Sequence, residues 1–126
     1  MTTGELNWKH LLVGAGFILA GALHFILPAP YLSIMPPALP HPLALVYISG
    51  VAEIIGGVGM LVPATRRAAG IWLVLLLLAV FPANVQMLIN WRAEGVPAWK
   101  ESLAWLRLPL QAVLIAWVWR LSRRSA

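Results

Sequence analysis

Seven polar or sulfur-containing side chains stand in or beside apolar stretches of this sequence, and their types suit the binding of a polar headgroup. They are His24, Tyr31, Met35, Glu53, Asn84, Arg107 and Gln111. Histidine and carboxylate groups can carry a proton, while amide and guanidinium groups donate hydrogen bonds to carbonyl oxygens. The sequence contains no cysteine, which excludes thiolate catalysis, disulfides and cysteine-ligated zinc or iron–sulfur clusters.

The composition predicts where these side chains lie. Of the 126 residues, 61% are hydrophobic and only 10% are charged, against roughly 45–50% and 25% in an average soluble domain. A soluble domain of this size cannot hide so much apolar surface. The composition therefore excludes a soluble enzyme, a disordered tail, a disulfide scaffold and a coiled coil, and it predicts a small integral membrane domain that has the lipid bilayer as its first partner.

Four apolar segments approach the length of about 20 residues that a helix needs to cross a bilayer. They cover approximately residues 8–27, 43–62, 68–89 and 102–121. The predicted fold class is therefore all-α, an antiparallel four-helix transmembrane bundle that forms a single domain over residues 1–126. The first segment resembles a signal peptide, but its apolar stretch continues through Leu27, which favours a membrane span.

The distribution of lysine and arginine predicts the orientation of the bundle. With four spans, six of the nine basic residues fall on one side of the membrane: Lys9, Arg66, Arg67, Arg120, Arg123 and Arg124. Arg92 and Lys100 fall on the other side, and Arg107 lies inside the fourth span. Because basic residues concentrate in cytoplasmic segments, both termini and the turn between the second and third spans are predicted to be cytoplasmic. The same distribution explains the net charge of +5 without a nucleic-acid partner.

The polar side chains are predicted to converge in the outer half of the bundle. At 1.5 Å per helical residue, His24, Asn84 and Arg107 fall in the outer leaflet, Glu53 falls near the midplane and Gln111 slightly above it. The inner half has almost no polar residues. Because polar groups inside hydrocarbon are costly and usually face the bundle interior, this distribution predicts a pocket in the outer half.

The connection between the first and second spans, Pro28–Pro42, is apolar and rich in proline. Proline removes hydrogen-bond donors and fixes the backbone, so this segment is predicted to form a stiff lid at the membrane surface. The predicted pocket lies beneath it, with Tyr31 or Met35 at its mouth. Pro82 adds a weak point in the third span, because it leaves the carbonyl of Leu78 without its usual donor.

Two contacts between helices are predicted from position and spacing. Glu53 and Arg107 are each costly alone in hydrocarbon, so we expect them to interact directly or through one water. Gly16, Ala20 and His24 form a line of small residues on the first span that predicts the close approach of another helix. As an alternative to a role in binding, the ion pair between Glu53 and Arg107 and a hydrogen bond from His24 would only hold helices together.

A metal or haem site is disfavoured by the placement of the histidines. A haem held between helices usually needs two facing ligands, and only His24 lies within a span. For His41 to supply the second haem ligand, the lid would have to fold inward. A copper site built from His24, Met35 and His41 suits the softness of the ligands.

Five motifs in the middle of the chain carry a family resemblance. They are His24-Phe25, residues 35–42 (MPPALPHP), residues 49–57 (SGVAEIIGG), residues 63–69 (PATRRAA) and residues 79–84 (AVFPAN). These motifs resemble the DoxX family of small four-helix bacterial membrane proteins. The resemblance implies a compact bundle in the bacterial inner membrane. It also implies an association with thiosulfate:quinone oxidoreduction, or with membrane complexes that handle thiol or oxidative stress.

Two functions from different classes remain open. In the first, the protein is a quinone- or lipid-binding accessory subunit with a membrane or soluble oxidoreductase partner. His24 and Asn84 would hydrogen-bond the ring carbonyls, and Glu53 would carry a proton. In the second, it is a non-enzymatic scaffold, assembly factor or small-solute permeation protein, alone or as a homo-oligomer, whose polar groups only join helices. An accessory role is favoured over a self-sufficient enzyme, and a quinone over any other cofactor.

Overall fold

The computed structural model describes residues 6–123, and these residues are almost entirely helical. The helices are α1 (Trp8–Ile26), α2 (Pro28–Ser33), α3 (Pro42–Leu61), α4 (Arg66–Glu94) and α5 (Ala98–Arg123), with a short 3-10 turn at Pro63–Thr65. Four of them, α1, α3, α4 and α5, are long and apolar enough to cross a membrane. The predicted all-α fold with four potential membrane spans is confirmed at this level. Arg124, one of the basic residues in the orientation prediction, lies outside the described residues.

Local sequence signals explain where the helices begin and end. The side chain of Asn7 caps α1 by accepting hydrogen bonds from the backbone N–H groups of Lys9 and His10, as asparagine favours at this position. Pro42 occupies the first turn of α3, where a missing N–H costs nothing. Gly95 ends α4 with a φ of 68°, a left-handed conformation that glycine adopts without strain. Helix α4 therefore runs past its predicted end at residue 89, because Gly95 rather than a loss of hydropathy ends it. Helix α5 also extends beyond the predicted 102–121 at both ends.

The helices form two close pairs, α1 with α3 and α4 with α5, which are joined through contacts between α3 and α4. Glycines seven residues apart bring α1 and α3 together. A Cβ added to Gly21 would lie 2.5 Å from the carbonyl oxygen of Gly50, and one added to Gly57 would lie 2.6 Å from that of Gly14. Neither position has room for any side chain, so the two backbones touch directly. By contrast, α1 and α5 make few contacts.

The predicted line of close approach on α1 is wrong at Gly16. No atom lies within 4 Å of where a Cβ of Gly16 would stand. The backbone contact with α3 is made instead by Gly14 and Gly21, which lie on a different face of α1.

This difference leads to a stability prediction for two glycine variants. We expect Gly50→Ala to lower the free energy of unfolding by about 1–3 kcal/mol, the usual range for overpacking, because its Cβ would stand 2.8 Å from the carbonyl oxygen of Gly21. Gly16→Ala should be neutral or slightly stabilising, since alanine is the better helix former. Thermal unfolding in detergent would measure both. Equal losses would show that α1 and α3 are not held together by this contact.

Apolar residues fill the bundle around the connection between α3 and α4. The buried core there consists of Val13, Phe17, Met60, Ala69, Leu73, Leu77, Val118 and Leu121. This half of the bundle also buries three polar side chains, those of His10, Arg66 and Ser122. Arg66 is fully buried, and its Nε donates a hydrogen bond of 2.7 Å to the carbonyl oxygen of Met60. The expectation that the inner half has almost no polar residues is therefore wrong. The position of Arg66 in a turn predicts an exposed side chain, but neighbouring helices cover it.

Candidate functional site

A half-enclosed cavity of about 870 Å³ lies among the four long helices. Its walls are mostly apolar, and α2 with the turn that follows it lies over one end. All seven residues singled out in the sequence line it, namely His24, Tyr31, Met35, Glu53, Asn84, Arg107 and Gln111. The fold thus brings side chains from α1, α2, α3, α4 and α5 to one cavity. We call the part lined by these seven residues its polar end.

His24 is held in one orientation by two contacts. Its Nδ1 lies 2.7 Å from the carbonyl oxygen of Ala20, one turn earlier in α1, so the geometry assigns the hydrogen to Nδ1. The ring also stacks on that of Tyr31, with 3.8 Å between centroids and an interplanar angle of 19°. With Nδ1 as the donor, Nε2 is an acceptor, and no described residue donates a hydrogen bond to it.

Glu53 contributes a second acceptor beside His24. Its Oε2 lies 3.1 Å from Nδ1 of His24, but that nitrogen already donates its hydrogen to Ala20. Oε2 is buried and has no hydrogen-bond partner among the described residues. A buried carboxylate oxygen without a donor is costly in an apolar environment. The site therefore favours a molecule, or a proton, that satisfies this oxygen.

The direct pair predicted between Glu53 and Arg107 is not formed in the described part of the chain, whereas a pair through one water stays a prediction. Within residues 6–123, the charged pairs are His24 with Glu53 and Arg92 with Glu101. Nη2 of Arg107 instead donates a hydrogen bond of 3.1 Å to Oδ1 of Asn84. The reason is the order of the helices: α5 packs against α4, whereas the glycine contacts place α3 beside α1.

An amide network joins α4 to α5 at the deep side of the polar end. Nδ2 of Asn84 donates to Oε1 of Gln111, and Nε2 of Gln111 donates to the carbonyl oxygen of Leu77. Pro82 stands inside α4 without ending it, and a side chain from a neighbouring helix can satisfy the backbone near such a proline. The carbonyl that receives this help is that of Leu77, one residue before Leu78, which the proline was expected to leave without a donor.

The segment over the polar end is attached to the bundle by a residue that sequence reasoning missed. Nδ2 of Asn90 donates a hydrogen bond of 2.7 Å to the backbone carbonyl of Ser33 at the end of α2. Oγ of Ser33 donates to the carbonyl of Pro30 within the same helix. Asn90 directly follows the predicted span 68–89. Its distance of 57 residues from Ser33 hides the contact from local patterns.

Tyr31 lies close enough to Glu53 on α3 and to Arg107 on α5 for both charges to affect its hydroxyl group. Burial, and then the negative charge of Glu53, raise the pKa of the Tyr31 hydroxyl above its ordinary value, while Arg107 opposes the shift. The hydroxyl therefore stays protonated at neutral pH and remains a hydrogen-bond donor. It has no hydrogen-bond partner among residues 6–123.

The residues of the site offer little to a metal ion. The described part of the chain contains no group of three or more histidine and acidic residues placed to hold one. His41, a member of the alternative copper set, does not line the cavity that contains His24 and Met35.

The polar end presents different chemistry on its two sides. On the side of α1 and α3, Nε2 of His24 and Oε2 of Glu53 are acceptors without donors. On the side of α4 and α5, the guanidinium of Arg107 carries five N–H donors, only one of which is engaged with Asn84 in the described contacts. A molecule with a hydroxyl group directed to the first side and a carbonyl or other oxygen directed to the second would complement both.

A family model, described as Domain of unknown function (DUF8561), matches residues 13–122. No curated protein and no solved structure matches the chain.

Proposed function

The chain belongs to this family of domains of unknown function (DUF8561), and from its cavity we propose that it binds a quinone or a similar membrane amphiphile. In this proposal the protein is an accessory subunit of a membrane oxidoreductase system. The headgroup of the ligand lies at the polar end, between His24 and Glu53 on one side and Arg107 on the other. The resemblance to the DoxX family supports a link to quinone chemistry and remains part of the proposal.

One observation carries the proposal, namely a large apolar cavity with a few converging polar groups. A volume of about 870 Å³ falls in the range of roughly 300–1,000 Å³ that ligand pockets occupy. Groups that only join helices would be satisfied by each other, as Asn84 and Gln111 are. Oε2 of Glu53 is not satisfied in this way, which supports a role in binding.

The direction of the hydrogen bonds supports a ring that carries two opposed oxygens. A hydroquinone hydroxyl can donate to Glu53 or to Nε2 of His24, and the opposite oxygen can accept from Arg107. Because the chain has no cysteine, its own side chains provide no thiol–disulfide couple. Electrons that reduce a bound quinone would therefore come from a partner, and electrons released when a bound hydroquinone is oxidised would pass to a partner. This need for a partner supports an accessory role.

We also propose that the four spans alternate in direction and that both termini face the cytoplasm of a bacterial cell, with the protein in its inner membrane. Contacts along α1 and α3 support alternation, since Gly14 meets Gly57 while Gly21 meets Gly50. The six-to-two distribution of basic residues supports the orientation. In this orientation the polar end faces the outer leaflet.

Binding of a decyl-chain benzoquinone and of its reduced hydroquinone, with the protein in lipid nanodiscs, would test the proposal. We expect Glu53→Gln to weaken binding of the hydroquinone by about ten-fold or more, since a hydrogen bond to a charged group contributes about 1.5–3 kcal/mol. Glu94→Gln is the matched control, because Glu94 is exposed at the end of α4 and lies outside the cavity. Its affinity should equal that of the wild type.

Native mass spectrometry of the gently solubilised protein identifies the molecule that it retains. A bound quinone supports the proposal, and a bound glycerolipid reassigns the site to a lipid. If neither form of the probe binds to the wild type, and no small molecule is retained, the scaffold or permeation role replaces the proposed one.

A further inference from the structure

The cavity is much longer than a headgroup requires. On α1 its lining runs from His24 to Leu12, which is about 18 Å at 1.5 Å per residue. On α5 it runs from Arg107 to Trp117, or about 15 Å. Half of a hydrocarbon core of about 30 Å is also about 15 Å. The cavity therefore extends from its polar end over a depth similar to that of one leaflet.

Away from the polar end, the lining is apolar. The residues there include Val13 and Phe17 on α1 and Leu114 and Trp117 on α5. An apolar space of this kind gives water no hydrogen-bonding partners. The part of the cavity that they line is therefore suited to a hydrocarbon chain.

This apolar part is open towards the membrane between α1 and α5. These two helices make few contacts with each other. Leu12 on α1 and Leu110 on α5 both line the cavity and are nevertheless 56% and 52% exposed. Gly16 lines the cavity between them, is exposed, and has open space where a side chain would stand. We call this opening, bordered by Leu12, Gly16, Leu110 and Leu114, the α1–α5 seam.

We propose that the α1–α5 seam holds the single long apolar chain of the ligand whose headgroup binds at the polar end. This inference rests on the proposed function and adds the class of ligand: a ring or headgroup with one long chain that reaches its site sideways from the bilayer. The chain gains little hydrophobic free energy on leaving lipid, so its contribution is van der Waals contact with the walls of the seam. The seam therefore selects for chain shape more than for hydrophobicity.

The substitution Gly16→Leu tests the seam without disturbing the polar end. Its Cβ would meet no atom within 4 Å, and leucine is a better helix former than glycine, so the variant should fold. Ala15→Leu is the matched control, because Ala15 is the exposed neighbour of Gly16 and does not line the cavity. The probes are a benzoquinone with a long isoprenoid chain and the same ring with only methyl groups, both measured in nanodiscs with affinities expressed per lipid.

We expect Gly16→Leu to weaken binding of the long-chain quinone by about ten-fold, which corresponds to about 1.4 kcal/mol, and to leave binding of the methyl-only ring unchanged. Ala15→Leu should change neither affinity. If Gly16→Leu leaves both affinities unchanged while the wild type binds both probes, the inference fails and the proposed function stands. If the wild type binds neither probe, the proposed function itself fails.

A third variant distinguishes two directions of access. Ile48 on α3 also lines the cavity and is 63% exposed, but α3 does not border the α1–α5 seam. If Ile48→Trp weakens binding of the long-chain quinone and Gly16→Leu does not, the chain lies along α3, and the proposed seam is wrong.

Discussion

Substitution of Arg66 by methionine is expected to destabilise the protein, although the same change at Arg67 is not. Arg66 is fully buried and donates to the carbonyl oxygen of Met60. Methionine fills a similar volume but leaves that carbonyl without this donor. A lost hydrogen bond to a charged group costs about 1.5–3 kcal/mol, and burial of the unsatisfied partner adds to the loss. We therefore expect the free energy of unfolding to fall by about 3 kcal/mol.

Arg67→Met is the matched control because Arg67 is exposed. Its described contact with Arg123 uses the backbone carbonyl, which the substitution keeps. We expect a change within about 0.5 kcal/mol, as for most surface substitutions. Unfolding followed by tryptophan fluorescence in mixed micelles would measure both variants. Each removes one basic residue from the same turn, so equal effects would mean that the buried hydrogen bond of Arg66 does not contribute to stability.

Gln111→Leu is expected to have the second largest effect on stability. Gln111 is 6% exposed, and it both accepts from Asn84 and donates to the carbonyl oxygen of Leu77. Each hydrogen bond between helices in a membrane contributes about 0.6–2 kcal/mol. Loss of both should lower the free energy of unfolding by about 2 kcal/mol. Gln86→Leu is the control, since Gln86 donates to Asn90 within the same helix at 2.8 Å, and we expect a smaller loss.

A double variant tests whether the amides act as one network. If Asn84 and Gln111 depend on each other, the loss in Asn84→Leu/Gln111→Leu should be clearly smaller than the sum of the two single losses. Strictly additive losses would contradict the network. Circular dichroism of each variant would establish that the helices are retained.

Hydropathy was sufficient to predict the four long helices, because a bilayer needs apolar segments of a narrow range of lengths. Depth along each helix also predicted which polar residues share a region of the bundle. His24, Glu53 and Asn84 line the same cavity. Counting residues placed His24 and Asn84 in the outer leaflet and Glu53 near the midplane. Both inferences need only the position along one helix, which the sequence contains.

The contacts between polar residues could not be predicted in the same way, since they depend on which helices are neighbours. Charge alone paired Glu53 with Arg107, whereas the structure places His24 beside Glu53 and Asn84 beside Arg107. One signal for the correct neighbours was present in the sequence. Gly14 and Gly21, and likewise Gly50 and Gly57, are seven residues apart, and this shared spacing matches the contact between α1 and α3.

The burial of Arg66 could not be predicted from the sequence for a different reason. An arginine at the end of a span can mark membrane orientation or can be buried, and both residues of the Arg66-Arg67 turn carry the same sequence signal. Burial distinguishes them only because α5 returns to this end of the bundle, where Arg123 contacts the backbone of Arg67. That contact links residues 56 positions apart, beyond the reach of any local pattern.

The two contacts of His24 have a consequence for the entropy of binding. The imidazole is tied to Ala20 in its own helix and covered by Tyr31, so its rotation is restricted before any ligand arrives. Ordering a free side chain at a binding site costs about 0.5–1.5 kcal/mol. For His24 this loss of freedom occurs during folding, and a ligand meets an acceptor nitrogen that already stands in place. The same ring position should therefore be found in the free and the ligand-bound protein.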